Sequence, residues 1–353
     1  MSPRHWTVPG LIGTRPPAEM RAGPLCLAAV AAATIISSAM CSISERLSPS
    51  SQFKQRPFRR STLTAAAEGK SKGRNKDMDD TCYEVSSELY EEHDYSSKSK
   101  PTVDPKNVVS TFSFALPKYS IQDSDGDHIL PRRKTGHGES IEIEHSYSTS
   151  LKLVGLQVWR GALLLSDWLL HYGQTLSGND YILELGSGVG LTSIIASMFC
   201  PVICTDINRG EIFSLIKGNV ARNKHVVRYP INVQELDFKA DNLSENIISI
   251  LPKVTIVLAA DVIYDDHLTE AFVKTVQKLM DIPPKRTLYV ALEKRYVFTI
   301  RDCDTSAPCY DYFTERLATL TNLNVEQLDT DFPQYFLYEK VKELVLWKIT
   351  SKF

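Results

Sequence analysis

The sequence has almost no charge of one sign to spare. Its 40 Lys+Arg against 42 Asp+Glu leave a net charge of -2 over 353 residues, which excludes nucleic-acid binding through bulk basicity. The patterns of a disulfide-rich or metal-binding chain are missing too. Seven cysteines form no Cys-x-x-Cys pair, so there is neither a disulfide framework nor zinc-ribbon spacing. Free thiols fit a reducing compartment. Cys200, Cys204, Cys303 and Cys309 have no adjacent base that would make them nucleophiles. His145, His171, His225 and His267 show no ligand spacing, so no metal is expected. What the chain does have is 43% hydrophobic residues, enough for a sizeable core.

The text divides in two. Residues 1–138 read as a largely disordered N-terminal region, and 139–353 as one folded domain. Within the first part, residues 24–41 (PLCLAAVAAATIISSAMC) form an apolar leader behind Arg15 and Arg21. A secretory signal, a mitochondrial presequence, a marginal membrane span and a weakly helical leader all fit it, and no stable membrane insertion is expected. From Ser42 to about Ser140 Ser, Lys, Pro, Asp and Glu dominate, too polar to offset the entropy of ordering. The runs RPFRRS and KSKGRNK suit nuclear entry or an ordinary solvated tail. Residence in nucleus and cytoplasm is the expectation, with leader-directed targeting as the alternative. One island, Val108–Pro117, alternates apolar and polar residues like a short strand.

The second part alternates strand and helix. IEIEHSYS has period two, and GLQVWRGALLLSDWLLHYG puts Val158, Ala162, Leu165 and Leu169 on one helical face. The strands YILEL, VICTDI, INVQELDF, VTIVLAADVIY and RTLYVALEKR follow, separated by helical text, with two further strand-like pieces near the C-terminus. Core strands apolar throughout require helices on both faces of a mostly parallel sheet. The fold class is therefore α/β: a doubly wound, Rossmann-like sheet whose ligand lies beyond the carboxyl ends of its first strands.

Three pieces of text carry chemistry. Glu184-Leu185-Gly186-Ser187-Gly188-Val189-Gly190 turns strand into helix, and its glycines let a ligand approach bare backbone. The third glycine comes one residue too early for the dinucleotide pattern. Glu184 would repel a pyrophosphate but suits an ammonium. Asp206 ends the second strand, where a carboxylate accepts ribose hydroxyls or caps the next helix. Asp237, at the end of QELDF, either faces an adenine amino group or simply makes a turn. Acids ending successive strands fit adenosine joined to a cationic amino acid, as in S-adenosylmethionine.

These residues, with Asp261-Val262-Ile263-Tyr264 and the helix text QVWRGALLLSDWLL, resemble the seven-strand methyltransferases, and within them the branch that includes the protein-lysine methyltransferases. The similarity runs from about Glu139 to the C-terminus. It implies an S-adenosylmethionine cofactor gripped by Gly186, Ser187, Gly188, Gly190, Asp206 and Asp237, with Glu184 holding the loop or facing the ammonium. It further implies Trp159 as a flat apolar wall. Asp261 would orient the incoming amine, and Tyr264 would wall the channel or bond the amine. The partner so implied is a protein presenting a lysine, such as a nucleic-acid-associated protein or a chaperone, and the enzyme would be a monomer. The Asn/Asp-Pro-Pro-Tyr/Phe text of base-amine methylation is absent, DVIY standing in its place. Two readings compete: a nicotinamide-dependent oxidoreductase on the same sheet, and a cofactor-binding scaffold without transfer activity. Glu293-Lys294-Arg295 borders the substrate entrance or forms a solvated ion-pair cluster.

Overall fold

The computed structural model describes residues 84–95, 104–116, 139–176, 179–299 and 304–352, with Thr102 and the short pairs 121–122 and 128–129. The apolar leader and both basic runs lie outside the described residues.

A seven-strand sheet is the frame. In chain order its strands are β3 (Tyr181–Leu185), β4 (Val202–Asp206), β5 (Ile231–Glu235), β6 (Val254–Ala260), β7 (Thr287–Glu293), β8 (Leu323–Leu328) and β9 (Leu344–Ser351). Two earlier strands, β1 (Asn107–Phe114) and β2 (Glu139–Ser146), pair with each other as an antiparallel ribbon. The order across the sheet is β8-β9-β7-β6-β3-β4-β5. Strands β5, β4, β3, β6 and β7 run parallel, and β9 runs antiparallel to both of its neighbours. The order reverses at β3, which has β4 on one side and β6 on the other. At such a switch point the crossovers leave in opposite directions and open a crevice at the carboxyl ends.

Each strand feeds two cores, because successive side chains point to opposite faces. Ile182, Ile256, Leu258 and Ala291 pack with α1 (Arg160–Tyr172) and α2 (Leu191–Ala196). On this side too lies α3 (Ile212–Arg222), through Leu215. Leu183, Leu185, Val257, Ala259, Leu288 and Val290 pack on the other face. That face is covered by α4 (Glu245–Ile250), α5 (Asp266–Met280) and α6 (Pro308–Ala318). The helix expected from 155–173 starts later, at Arg160, leaving Val158 ahead of it. It is buried nearly all round instead of on one face. The stretch Leu151–Thr175 is apolar and long enough to cross a membrane by composition alone, but 72% of its most apolar window is buried inside the protein.

The reason for that burial lies upstream of the expected boundary. The sequence reading starts the folded domain at residue 139, yet packed elements start at Glu84. Leu89, Phe112 and Phe114 join the same core as Ile141, Ile143 and the leucines of α1. The strand expected at 108–117 is β1. These anchors are spaced widely among Ser, Lys and Asp, so average composition hides them. Strand β2 is then fixed to α3 by two buried asparagines one helical turn apart. Asn219 accepts from the Glu144 N–H at 2.7 Å and donates to its carbonyl at 2.9 Å. Asn223 does the same for Glu142, at 2.8 Å in both directions. The two amides act as a missing neighbouring strand.

Asp167, inside α1, plays a similar part for the segment before β9. Its Oδ1 accepts the N–H groups of Tyr335 and Phe336, both at 2.9 Å, and Oδ2 accepts the Tyr338 hydroxyl at 3.0 Å. Burial pushes its carboxyl up to about 6 despite these donors. Asp167→Ala should cost about 2–5 kcal/mol in a urea titration, since buried donors lose their acceptor. Asp167→Asn should be milder. The raised folded-state value means this carboxyl favours the fold most at low pH, a contribution lost as pH rises from about 4 through about 6. The stability difference between wild type and Asp167→Asn should shrink over that window.

Candidate active site

The loop after β3 is shaped by glycines with positive φ, +67° at Gly186 and +53° at Gly188. A Cβ on Gly186 would stand 2.8 Å from Val262 Cγ1, and one on Gly188 2.9 Å from the Gly155 carbonyl oxygen. Both positions are therefore reserved for glycine by conformation and by space. Ser187 ties the loop to β4: its N–H donates to the Thr205 carbonyl at 2.9 Å, and its Oγ accepts from the Thr205 N–H at 3.1 Å. Glu184 is buried beneath the loop, where its carboxylate accepts a short hydrogen bond from the Ser193 hydroxyl of α2. Burial raises its carboxyl to about 7, against hydrogen bonds from Ser193, Ser187 and Thr192. Of the two roles open to Glu184, this geometry supports holding the loop.

Asp206 ends β4. Its Oδ2 accepts the Gly188 N–H at 2.8 Å and Oδ1 accepts the Ile207 N–H at 2.7 Å. The carboxylate is thereby locked to the glycine loop, and burial lifts it to about 6. Each oxygen retains acceptor capacity for one more donor. Asp237 lies two residues beyond the end of β5, where Oδ1 accepts the Lys239 N–H at 2.9 Å in a side-chain turn.

Asp261 follows β6 with φ of +51°, unusual for a residue with a Cβ. The twist turns its side chain back into the protein. Oδ2 accepts the Gly161 N–H at the start of α1, 2.6 Å away, and Oδ1 accepts the Glu293 N–H at the end of β7, 3.0 Å away. No Cβ fits at 161, since it would meet Oδ2 at 2.5 Å. Asp261 therefore pins a helix start, where a negative charge is favoured, to two strand ends. Burial raises its carboxyl, with Arg295 and the two N–H donors opposing. Tyr264 is pushed up to about 12, chiefly by burial and then by Asp206 and Asp265, so its phenol remains a donor at neutral pH.

Trp159 precedes α1 in an extended conformation, and its Nε1 donates to the Val154 carbonyl at 3.0 Å. The Arg295 guanidinium lies over its ring, 4.7 Å from the centroid. The triplet Glu293-Lys294-Arg295 is no solvated cluster. Arg160 holds both oxygens of Glu293 at 2.8 and 2.9 Å, and the two side chains are only 9% and 12% exposed.

These pieces enclose a cavity of about 640 Å³ at the carboxyl ends of β3, β4 and β6. Its wall includes Trp159, Glu184, Gly186, Ser187, Gly188, Asp206, Asp237, Asp261 and Tyr264. Gly190 stands apart from the wall, where a Cβ would meet Ile216 at 3.2 Å. Sequence reasoning missed the opposite wall, a tight turn over Leu151–Leu156. Its text, LKLVGL, reads as the approach to a helix. Arg209, Phe238 and Lys239 were missed as well; each directly follows or lies close behind a strand-end acid.

The family model that matches, over residues 137–305, is described as lysine methyltransferase. Mouse methyltransferase-like protein 22 is 38% identical over 232 residues, covering 59% of this chain and 58% of that protein. The human protein of that name is also 38% identical, over 250 residues covering 64% of this chain and 61% of its own length. Mouse protein-lysine N-methyltransferase EEF2KMT is 28% identical over 227 residues, covering 60% and 63%. The chain thus spans about three-fifths of the length of the curated relatives it matches. In sequence and in its matched domain, it resembles the protein-lysine methyltransferases.

Proposed function

We propose that this chain is an S-adenosylmethionine-dependent N-methyltransferase acting on a lysine side chain of a protein. The observation that carries the reading is Asp206, tethered to the glycine loop and sharing one cavity with Asp261 and Tyr264. The cavity suits the cofactor's chemistry. Gly186 and Gly188 leave backbone open where a side chain would collide, Asp206 offers free acceptor capacity for ribose hydroxyls, and Asp237, on the same wall, would accept from the adenine amino group. The name of the EEF2KMT relative and the description of the matched family support a protein-lysine substrate. Residence in nucleus and cytoplasm, suggested by the basic runs, and a monomeric state belong to the same proposal.

When bound, the cofactor supplies a methyl group already attached to a sulfonium leaving group, so no covalent enzyme intermediate is required. The chain's work is alignment, and the proton lost by the lysine ammonium leaves to water. A lysine with pKa near 10.4 is short of its neutral form by roughly 4 kcal/mol at pH 7.4, and desolvation in a closed cavity lowers that gap. Asp261 keeps one lone pair on each oxygen beyond its backbone bonds, which is what an arriving ammonium needs. Tyr264 remains protonated and bonds or walls the amine. Because both Asp261 oxygens accept backbone N–H groups, Asp261→Asn is not a neutral swap. It should cost about 1–3 kcal/mol of stability as well as methyl transfer, whereas Tyr264→Phe should slow transfer and leave the melting temperature near wild type. Equal transfer by wild type and both variants would remove this pair from the reaction.

Cofactor choice is read by calorimetry. S-adenosylhomocysteine should bind, and NAD should not compete; tight NAD binding alone would favour the oxidoreductase. Affinity for S-adenosylhomocysteine should rise with pH and level off above about 6, where Asp206 ionises and becomes the better acceptor. At pH 5 it should be about tenfold weaker than the plateau. Asp206→Asn should flatten that profile and weaken plateau binding by about 1.5–3 kcal/mol. Labelled methyl from S-adenosylmethionine should enter a protease-sensitive, nuclease-resistant fraction of a cell extract. Label confined to nucleic acid or to dialysable molecules would overturn the protein-lysine assignment.

A further inference from the structure

Of four successive residues beside the cavity, Gln157, Val158 and Arg160 are held directly by one short segment far upstream, and Trp159 is held through Arg295. Buried Gln157 accepts the Ser87 N–H at 2.9 Å and donates to the Val85 carbonyl at 2.8 Å. The Val158 N–H donates to the Tyr90 hydroxyl oxygen at 2.8 Å. Arg295, lying over the Trp159 ring, donates to both oxygens of Glu88 at 3.1 and 3.3 Å. Arg160 donates through Nε to Glu92 at 2.5 Å. The segment is itself anchored by buried Leu89 and by pairing of Glu84–Val85 with Thr149–Ser150. Gln157, Val158 and Trp159 line the cavity.

The charges explain why this arrangement sets a side chain's position and does more than cover a surface. Arg160 and Arg295 face three carboxylates, those of Glu88, Glu92 and Glu293, with Asp261 beside them. Glu88 draws Arg295 to one side and Glu293, with Nη2 3.9 Å from its Oε2, to the other. Without Glu88 the guanidinium has only Glu293 and Asp261 to neutralise, and its hold over Trp159 goes. Without the Tyr90 hydroxyl, the buried Val158 N–H loses its acceptor.

We propose that Val85–Glu92 is a working part of the cofactor wall: Tyr90 and Glu88 are positioning residues that set Val158 and Trp159, so the functional unit begins near Glu84, well before the matched domain at 137. This inference rests on the methyltransferase reading. It also gives the long N-terminal region a physical route to the site, since anything that pulls on the segment pulls on the wall.

The test uses the full chain and S-adenosylhomocysteine. Tyr90→Phe keeps the ring, which stacks on His145 at 4.5 Å, and removes only the acceptor oxygen. It should weaken S-adenosylhomocysteine binding by about tenfold with a cooperative melt retained. Glu88→Gln should weaken it by about threefold, and the same change in an Arg295→Gln background should add nothing, because Glu88 acts through Arg295. Wild-type affinity in both single variants, with only the melting temperature lowered, would reduce the segment to a cover and overturn the inference. Additive losses from Glu88 and Arg295 would overturn the route through Arg295. A wild-type chain that ignores S-adenosylhomocysteine would instead defeat the methyltransferase reading and this inference with it.

Discussion

A carboxylate partly withdrawn from water needs donors, and here the donors are the protein's own backbone. Asp206 takes the N–H groups of Gly188 and Ile207; Asp261 takes those of Gly161 and Glu293. Three of these four bonds join a strand end to a different element, so two acids fix the glycine loop, the start of α1 and the end of β7 in one frame. Burial pushes both carboxyls upward, which shows the donors do not fully offset lost hydration. The cavity is consequently shaped before any ligand enters, the condition under which alignment contributes most to a transfer reaction.

Around that frame the polar work is done at long range. Asn219 and Asn223 stand in for a strand beside β2, Asp167 gathers the N–H groups ahead of β9, and Gln157 fastens the segment at Val85. All four are buried. Their removal leaves unsatisfied backbone groups, a larger cost than the bonds themselves return. The segment that begins at Glu84 is therefore joined to the rest of the fold through the polar contacts of Gln157 as well as through the apolar anchors Leu89, Phe112 and Phe114.

The sheet was legible in the sequence because its strands obey simple rules. YILEL and VTIVLAA are apolar on both faces, and glycines with an acid before them mark the turn after the first strand. Asp206, Asp237 and Tyr264 also came to the same cavity, because strand ends at a switch point converge wherever the crossovers are right-handed. What remained hidden has a common cause. Gly161 lies 100 residues from Asp261, and Glu88 lies 207 from Arg295. Side-chain bonds to distant backbone or ions leave no period in the text. The charged triplet reads equally as a border to the substrate entrance and as a solvated ion-pair cluster. The upstream segment reads as disordered because its few buried apolar side chains, among them Leu89, Tyr95, Phe112 and Phe114, stand scattered among polar residues.

One cavity, built on Asp206 and the loop from Gly186 to Gly190 and walled by Trp159, is the proposed seat of the cofactor. Amide hydrogen exchange on the full chain, with and without S-adenosylhomocysteine, locates it. Protection should rise at 186–190, at Ile207 and across 157–160, with the remote strands β8 and β9 unchanged. Protection confined to another surface, or none at saturating ligand, would rule this cavity out.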